Sequence, residues 1–551
     1  MTRRISGSLA ILTVAVAGTF GPVLREPARA AAQNYDDIHT VVVIYAENRS
    51  FDNLYGTFPG ANGLANASKA ATLQLDRDGK PMRGLPAVWG GLEARVPQGA
   101  PEAPVGVTQG QTETFLGSFN HPYNVATLYA SAAGADTDPR AYTNRDLYHR
   151  FYENQMQIHH GANNMFAAWA DSGGLTMGYF TPDPKQAPPL WAWAHQYVLA
   201  DNFFQGGFGG SFFNHFYLIC SCAPYYGHDG VNPNGGANPS VSAVEPDGVT
   251  LTPAPNSPKS ALQGPPVFKS SGNLTPDFYA VNTMQPPYPP SENALKGEPA
   301  QRGVDLTLAT TLVPQTQPTI GSLLSAKGID WAYYAGAWNF ALTHPPRAAG
   351  ISKANPNFQY HHQPFNYFAA FDPATPEGRA NRAAHLRDAG VTTAADTLAD
   401  SRFLSDIRNG TLPPVAFYKP QGTFNEHAGY ASILDGDRHI AAMLTALKAS
   451  PQWPHMLVVV TYDEFGGWWD HAAPPKGDRF GPGTRIPALI ISPYARKGVI
   501  DHTLYDTTSI IRFVTHRWHL PKLAGIAMRD AALAGNHEPP PGDLTAALDL
   551  K

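Results

Sequence analysis

Cysteine is scarce in this sequence: only Cys220 and Cys222 occur among 551 residues. A cysteine-rich structural zinc site is therefore excluded, because such a site needs three or four thiolates. A single residue separates the two cysteines. That spacing permits a disulfide in an oxidising compartment or two small buried thiols, and the sequence leaves both open.

Charge is also sparse. Charged residues make up 15% of the chain, the formal net charge is −5, and there is no long run of lysine or arginine. We therefore expect no nucleic-acid partner. Hydrophobic residues make up 43% and aromatic residues 11%, which predicts a folded chain rather than a disordered one.

Long hydrophobic runs are missing beyond the N-terminus, where no stretch reaches the roughly 18 residues that cross a membrane. At the N-terminus, Arg3 and Arg4 precede an apolar stretch at residues 9–20, and residues 28–30 read Ala-Arg-Ala. This layout is typical of a secretory signal peptide, and the paired arginines also permit Tat export. We expect residues 1–30 to be a leader and the mature protein to be soluble, in the periplasm or secreted; a mobile tail is the alternative.

Glycine and proline are abundant, at 51 each, which predicts many loops. Residues 31–551 are predicted to form one domain with two irregular insertions, at about 58–118 and 223–318. The second insertion is too long for an ordinary loop and is interpreted as a cap bordering the site. A solvated surface loop is the alternative.

Strand and helix patterns alternate along the rest of the chain. This order predicts an α/β fold with a mainly parallel central sheet and helices on both faces. Strands are predicted at 41–45, 198–204, 331–336, 415–419, 456–462 and 486–492, and helices at 144–169, 190–197, 319–327, 435–448 and 507–519.

Two of these strands end in polar residues of the same kind. Val41 to Tyr45 leads through Ala46 into Glu47 and Asn48, and the run ending at Tyr462 leads into Asp463 and Glu464. Ligands bind outside the carboxyl ends of strands in open α/β sheets. If the two strands are neighbours, Glu47, Asn48, Asp463 and Glu464 meet at one edge, where hard oxygen ligands suit a divalent metal ion of unknown identity.

Ser211 follows a glycine-rich turn at residues 206–210 and begins an apolar helix. A helix N-terminus favours an anion such as phosphate, and a metal bound to the hydroxyl would make it a nucleophile. An N-cap serine is the alternative. Asn214 lies about one turn later on the same face and could donate to a phosphoryl oxygen.

Several of the 20 histidines lie in polar loops. Each alone is more often a surface or core residue, but several in one pocket could donate protons to phosphate oxygens and to a leaving group. The candidates are His121, His361, His362 and His427. His471 follows Asp470, and this pair could orient ligands from behind the site.

Four stretches, in this order, resemble the bacterial acid phosphatase and phospholipase C family of the alkaline-phosphatase-like superfamily. They are Glu47-Asn48-Arg49-Ser50-Phe51-Asp52, Gly210-Ser211-Phe212-Phe213-Asn214-His215, His361-His362-Gln363-Pro364-Phe365 and Asp463-Glu464-Phe465-Gly466-Gly467-Trp468-Trp469-Asp470-His471, joined by Arg485-Ile486-Pro487. The resemblance implies a metal held by Glu47, Asn48, Asp463 and Glu464, a nucleophile at Ser211, a phosphate contact at Asn214, and pocket histidines at His121, His361, His362 and His427.

The phospholipase branch of that family often has Thr-x-Pro-Asn-Arg where this chain has Ser211-Phe212-Phe213-Asn214-His215. This departure favours a secreted, metal-dependent acid phosphatase that hydrolyses phosphomonoesters through a phosphoserine. One alternative is a phospholipase C that cleaves phosphodiesters at a phospholipid surface. Another is a non-catalytic binding protein on the same fold. A sulfatase is disfavoured because Ser211 lacks the C/S-x-P-x-R modification motif.

Overall fold

A computed structural model describes residues 35–92, 106–133, 138–182, 187–227, 237–288, 290, 309–343 and 356–550. The leader predicted for residues 1–30 lies outside these ranges. The strands are β1 Thr40–Ala46, β2 Tyr123–Asn124, β3 Gly178–Tyr179, β4 Val198–Ala200, β5 Phe203–Phe204, β6 Trp331–Ala335, β7 Leu386–Asp388, β8 Val415–Lys419, β9 Met456–Tyr462, β10 Ala488–Ile491, β11 Val499–Asp501 and β12 Tyr505–Asp506.

Helices follow most of the strands. They are α1 Phe51–Tyr55, α2 Lys69–Thr72, α3 Gln109–Leu116, α4 Val125–Ala133, α5 Phe151–Ile158, α6 Phe166–Trp169, α7 Pro189–Gln196, α8 Ser211–Cys220, α9 Ile320–Ala326, α10 Trp338–Thr343, α11 Pro376–His385, α12 Arg402–Asn409, α13 Ile433–Lys448, α14 Thr508–Arg517 and α15 Ala524–Gly535.

Eight strands form one sheet in the order β11-β4-β10-β9-β1-β8-β6-β7. All pairs are parallel except those that β10 makes with β9 and β4. Every residue of β1, β6, β8 and β9 is buried. Strands buried on both faces read as continuous apolar runs, which is why the sequence revealed them. The predicted α/β fold with a mainly parallel sheet is confirmed.

The predicted neighbour relation between the first strand and the 456–462 strand is also confirmed. β1 and β9 pair in parallel over their whole length, from Thr40 opposite Met456 to Ala46 opposite Tyr462. The residues that follow, Glu47 and Asp463, therefore leave the sheet side by side at its carboxyl edge.

Three predicted elements differ from the structure. The strand expected at 198–204 is two strands, because after β4 the chain bends and β5 pairs with β12 in a separate small sheet. The helical region expected at 144–169 is divided into α5, a short 3-10 helix at His159–Gly161 and α6, since His159 and His160 adopt left-handed φ angles of 46° and 56° and end α5. The strand expected at 486–492 is β10, and it runs antiparallel.

The described parts of the 223–318 insertion are largely irregular, with isolated β-bridges and a short 3-10 helix at Ala261–Gln263. They are fastened to the start of α5. The Phe151 amide donates to Asn282 Oδ1 at 3.1 Å, and the Arg150 guanidinium donates to the carbonyl of Gly272 at 3.0 Å and to Asn273 Oδ1 at 3.2 Å. The insertion thus reaches the segment that precedes the candidate site.

Cys220 and Cys222 form a disulfide at the C-terminal end of α8. The sequence allowed either a disulfide or two buried thiols, and the structure has the disulfide. Among the described residues, every helix is too short or too polar to cross a lipid bilayer.

Candidate active site

The four residues predicted to bind metal converge at the carboxyl edge of β1 and β9, and all are buried. Asp463 organises the junction between the two chain segments. Its Oδ1 accepts from the backbone amides of Asn48, at 3.2 Å, and of Glu464, at 2.8 Å. Its Oδ2 has no hydrogen-bond partner among the described residues.

Ser211 is the first residue of α8 and is 5% exposed. Its hydroxyl lies 3.1 Å from Asn48 Oδ1 and 3.3 Å from Glu464 Oε1, and either oxygen can accept its single proton. The side chain therefore points into the acidic edge, and the N-terminus of a ten-residue helix opens beside it.

A close approach of backbones fixes the glycine turn before Ser211. Gly209 has a φ of +82°, and a Cβ there would lie 2.4 Å from the amide nitrogen of Phe151. Only glycine fits this position without a backbone shift. The turn is thereby held against the start of α5.

Asn214 lies beneath this turn rather than open to the acidic edge. Its Oδ1 accepts from the Gly207 amide at 2.9 Å, and its Nδ2 donates to the carbonyls of Gly207, Gly209 and Gly210 at 3.1–3.2 Å. In this arrangement its amide supports the segment that presents Ser211.

Asn48 links Ser211 to His149, which the sequence did not single out. His149 Nδ1 lies 2.5 Å from the Leu147 carbonyl and must donate to it, so Nε2 accepts from Asn48 Nδ2 at 3.2 Å. Asn48 has a left-handed φ of 69°, which its side-chain bonds stabilise. His149 lies in the loop before α5, where the sequence predicted part of a helix over 144–169, and its local sequence did not mark it as a site residue.

Glu47 is surrounded by side chains from three other segments. Its Oε2 accepts from Tyr430 at 2.7 Å and Asn425 at 2.9 Å. Its Oε1 lies 2.6 Å from Lys419 Nζ and 2.7 Å from His362 Nε2. Sequence analysis also missed Lys419, although a lysine that ends a buried strand next to β1 was a usable signal.

A group of histidines faces the same edge. The His361 ring centroid lies 5.2 Å from that of His215 and 5.0 Å from that of His362. His215 Nδ1 donates to the Ser211 carbonyl at 2.8 Å, and its buried Nε2 has no partner among the described residues. His427 packs edge-to-face on His149, with centroids 5.5 Å apart.

His121 is not part of this group. It is exposed, stacks on Phe119, and its Nδ1 lies 2.8 Å from the Pro122 carbonyl. None of its contacts within the described ranges reaches the residues around Ser211. The structure thus brings together three of the four predicted pocket histidines and adds His149 and His215.

The buried carboxyl groups at this edge form an environment that favours a bound cation. Burial, followed by repulsion from Asp463, raises the pKa of Glu464 well above its usual range. Burial and the negative charge of Glu47 raise the pKa of Asp463 too, against the opposing effect of Lys419. Burial alone would raise the pKa of Glu47, but the Lys419 ammonium and His362 hold it well below the usual range.

The donor atoms fit a divalent metal ion. Asp463 Oδ2 is buried without a hydrogen-bond partner among the described residues. Ligand atoms of Glu47, Asp463 and His215 lie within 4.8 Å of one another. Burial also lowers the pKa of His149 and His427 to about 4, so these imidazoles are neutral near pH 7.

A buried ion-pair network supports the edge from behind. Arg485 donates to Asp52 Oδ1 and to Asp470 Oδ1, each at 3.0 Å. His471 does not pair with Asp470 as predicted: its Nδ1 lies 2.6 Å from Asp52 Oδ2, and its amide donates to the same oxygen at 2.8 Å. The network fastens α1 to the chain after β9.

Curated relatives resemble this chain over limited segments. Phospholipase C B of Mycobacterium tuberculosis is 28% identical over a segment that covers 27% of this chain and 32% of that protein. Non-hemolytic phospholipase C of Pseudomonas aeruginosa is 29% identical over 26% of this chain and 24% of its own length. The aligned segments thus span a third or less of these relatives.

Solved structures resemble it more remotely. A protein of the alkaline phosphatase superfamily from Vibrio parahaemolyticus is 14% identical, with a TM-score of 0.23, over 39% of this chain and 50% of that one. The lipoteichoic acid synthase LtaP from Listeria monocytogenes is 9% identical, with a TM-score of 0.29, over 61% and 66%.

A family-level match extends much further than these pairwise alignments. The Phosphoesterase family matches residues 38–521, which include the strands, the glycine turn and every residue of the candidate site. The chain belongs to the Phosphoesterase family.

Proposed function

We propose that this protein is a metal-dependent acid phosphatase that hydrolyses phosphomonoesters through a phosphoserine intermediate on Ser211. One observation carries the proposal. The Ser211 hydroxyl stands at the N-terminus of α8, 3.1 Å from Asn48 Oδ1 and 3.3 Å from Glu464 Oε1. A serine that is both beside an anion-binding helix end and in contact with a basic carboxylate is placed for attack on phosphorus.

Glu47, Asn48, Asp463 and Glu464 are proposed to hold the metal ion, as the sequence predicted. When bound, a divalent ion would lower the pKa of the serine hydroxyl and offset charge on the phosphoryl oxygens. The raised pKa values of Asp463 and Glu464 are consistent with this role, because an ion between them would relieve their repulsion.

In the first step, Ser211 Oγ bonds to phosphorus while the bond from phosphorus to the ester oxygen breaks. The hydroxyl proton passes to Glu464 Oε1, the carboxylate oxygen that it already faces. The leaving alkoxide takes a proton from water, or from a pocket histidine that has been protonated at acidic pH. The amides of the first turn of α8 stabilise the phosphoryl oxygens, since they have no partner within the helix.

In the second step, water attacks the phosphoserine and the bond from phosphorus to Ser211 Oγ breaks. Glu464 returns its proton to the serine oxygen, and the two protons of the water leave with the product as dihydrogen phosphate. Asn48 holds the serine before the first step and again after the second, because its Oδ1 accepts from the hydroxyl while its Nδ2 donates to His149.

The pocket histidines are proposed to contact the phosphate or the leaving group. His427 Nδ1 donates to the Ala428 carbonyl, which leaves Nε2 as the nitrogen available to substrate. His361 Nε2 and His362 Nε2 lie 4.0 Å and 2.7 Å from Glu47 Oε1. His121 makes no contact within the described residues that supports such a role.

A phospholipase C is the second candidate, and the names of the relatives favour it. A diesterase would place a second ester group where a phosphatase places a phosphate oxygen, and a phospholipid surface would then be a partner. A non-catalytic binding protein is harder to reconcile with the site, because binding alone needs no buried serine in contact with a carboxylate.

A side-by-side assay tests the proposal. Purified protein is given p-nitrophenyl phosphate, bis-p-nitrophenyl phosphate and phosphatidylcholine vesicles, each with and without a chelator. The proposal expects the monoester to be hydrolysed fastest and the chelator to abolish turnover. Preference for phosphatidylcholine would identify a phospholipase C, and no turnover of any substrate would favour the binding protein.

A further inference from the structure

Lys419 is a fully buried cation at the end of β8. Its Nζ lies 2.6 Å from Glu47 Oε1 and donates to the Tyr45 carbonyl at 3.1 Å. Burying an ammonium group is costly unless a charge and hydrogen bonds compensate it. A lysine here therefore needs a reason beyond packing, since strand ends of this sheet are otherwise filled by neutral or acidic residues.

The Lys419 ammonium shares its carboxylate oxygen with two imidazoles. His362 Nε2 lies 2.7 Å and His361 Nε2 lies 4.0 Å from Glu47 Oε1. Ligand atoms of Glu47, His361 and His362 all lie within 4.8 Å of one another, and all three residues are buried. One carboxylate and two imidazoles form a donor set typical of zinc.

Glu47 Oε1 is held by two nitrogen groups. The Gln359 amide donates to His362 Nδ1 at 3.3 Å, so His362 Nε2 carries the proton and faces Glu47 Oε1 at 2.7 Å. The Lys419 ammonium approaches the same oxygen at 2.6 Å. His361 Nδ1 is buried without a hydrogen-bond partner among the described residues. The positive charge beside this trio thus belongs to a side chain.

We propose that the Lys419 ammonium is a tethered substitute for a second metal ion. Glu47, His361 and His362 form a nitrogen-rich cation position beside the proposed oxygen-rich position of Glu47, Asn48, Asp463 and Glu464, and Glu47 is common to both. Lys419 neutralises Glu47 there, holds its carboxylate in place and excludes a second divalent ion. The inference rests on the proposed metal site. It implies that the centre holds a single metal ion, because Lys419 occupies the position of the second.

Removing the ammonium should open the second position. In Lys419→Met, a side chain of similar length carries no charge, and the proposal expects one more zinc ion per chain than in the wild type. Zinc is counted by elemental analysis after equilibration and desalting, and by calorimetric titration of metal-free protein. Lys419→Arg keeps the charge and should bind as many ions as the wild type.

A second variant shows where the extra ion binds. Lys419→Met combined with His362→Ala removes one proposed ligand, so the additional zinc ion should be lost or bound at least tenfold more weakly. Thermal unfolding with and without zinc gives an independent readout. Zinc should raise the Tm of Lys419→Met more than that of the wild type, because the ion then replaces the missing charge on Glu47.

Each outcome is decisive. A folded Lys419→Met with the zinc count and affinity of the wild type would overturn the inference, and so would a variant that stays unfolded at every zinc concentration. The difference between variant and wild type tests the role of Lys419, whereas the wild-type count tests the proposed function. If zinc were bound by Lys419→Met and not by the wild type, the result would contradict the metal-dependent mechanism and would still support a role for Lys419 in excluding an ion.

Discussion

Asn214 and Gly207 are hydrogen-bonded to each other in both directions. The Gly207 amide donates to Asn214 Oδ1 at 2.9 Å, and Asn214 Nδ2 donates to the Gly207 carbonyl at 3.1 Å. The turn that presents Ser211 is thus fastened to the helix that Ser211 begins. These bonds use the hydrogen-bonding groups of the buried Asn214 side-chain amide.

Asn214→Ala should therefore destabilise the fold as well as reduce activity. The change leaves buried backbone groups of the glycine turn unsatisfied, at a cost of about 1–3 kcal/mol for each lost partner. Chemical denaturation measures the free energy of unfolding, and p-nitrophenyl phosphate turnover measures activity. The exposed Asn409→Ala in α12 is the matched control.

A direct phosphate contact by Asn214, as the sequence suggested, predicts a different pattern. The Asn214→Ala protein would then keep wild-type stability and lose affinity for phosphate. That result would contradict the supporting role described for its side chain.

Glu47→Gln and Asp463→Asn should each lower both bound metal and activity. Each change removes the charge of one proposed carboxylate ligand while keeping its shape. Elemental analysis should show metal falling from about one ion per chain toward zero. Glu377→Gln, exposed in the first turn of α11, should change neither quantity. Active wild-type protein that contains no metal and ignores chelators would refute the proposed metal-dependent mechanism.

Acid stability should depend on His439, which is buried away from the site. Its Nε2 lies 2.6 Å from the Tyr418 hydroxyl, and burial lowers its pKa from 6.5 to about 4. Between these pH values the unfolded chain binds a proton that the folded protein does not. The histidine therefore favours unfolding progressively as the pH falls from 6.5 to 4.

In His439→Gln this contribution disappears. The loss of unfolding free energy between pH 7 and pH 4 should be smaller than in the wild type by up to about 3 kcal/mol. Urea denaturation at several pH values measures it, with the exposed His195→Gln as control. Parallel stability curves for His439→Gln and the wild type would show that the His439 ring is not kept neutral in the folded protein.

Arg150 should influence substrate choice through the 223–318 insertion. It joins the Gly272 carbonyl and the Asn273 side chain to the residue before α5, next to the glycine turn. Arg150→Ala should release this attachment and change the ratio of KM values for bis-p-nitrophenyl phosphate and p-nitrophenyl phosphate by about threefold or more, the equivalent of one net hydrogen bond. Arg379→Ala, exposed in α11, is the control. An unchanged ratio in folded Arg150→Ala would indicate a surface loop without influence on the pocket.

Much of this organisation was predictable from the sequence because buried parallel strands leave continuous apolar runs. β8 and β9 match their predicted limits, and the polar residues after β1 and β9 meet as expected. Very short strands such as β11 escaped prediction, since three residues carry too little pattern to distinguish them from a loop.

The remaining site residues depend on contacts between distant segments. His149 reaches Asn48 from a loop where a helix was predicted, and Lys419 reaches Glu47 from a neighbouring strand. Helical spacing correctly placed Asn214 near Ser211, but it could not reveal that the amide turns back to the glycine segment. Which way a polar side chain turns is decided by nearby unsatisfied groups, and these become known only when the chain is folded.

Trapping of the phosphorylated enzyme tests the central claim most directly. Protein turning over p-nitrophenyl phosphate is quenched in acid, digested and analysed by mass spectrometry, with Ser211→Ala in parallel. The account predicts phosphate on the peptide that contains Ser211, none in the variant, and at least about a thousandfold lower kcat for a folded Ser211→Ala. Near wild-type turnover by folded, metal-loaded Ser211→Ala, or a phosphate trapped on another residue, would contradict it.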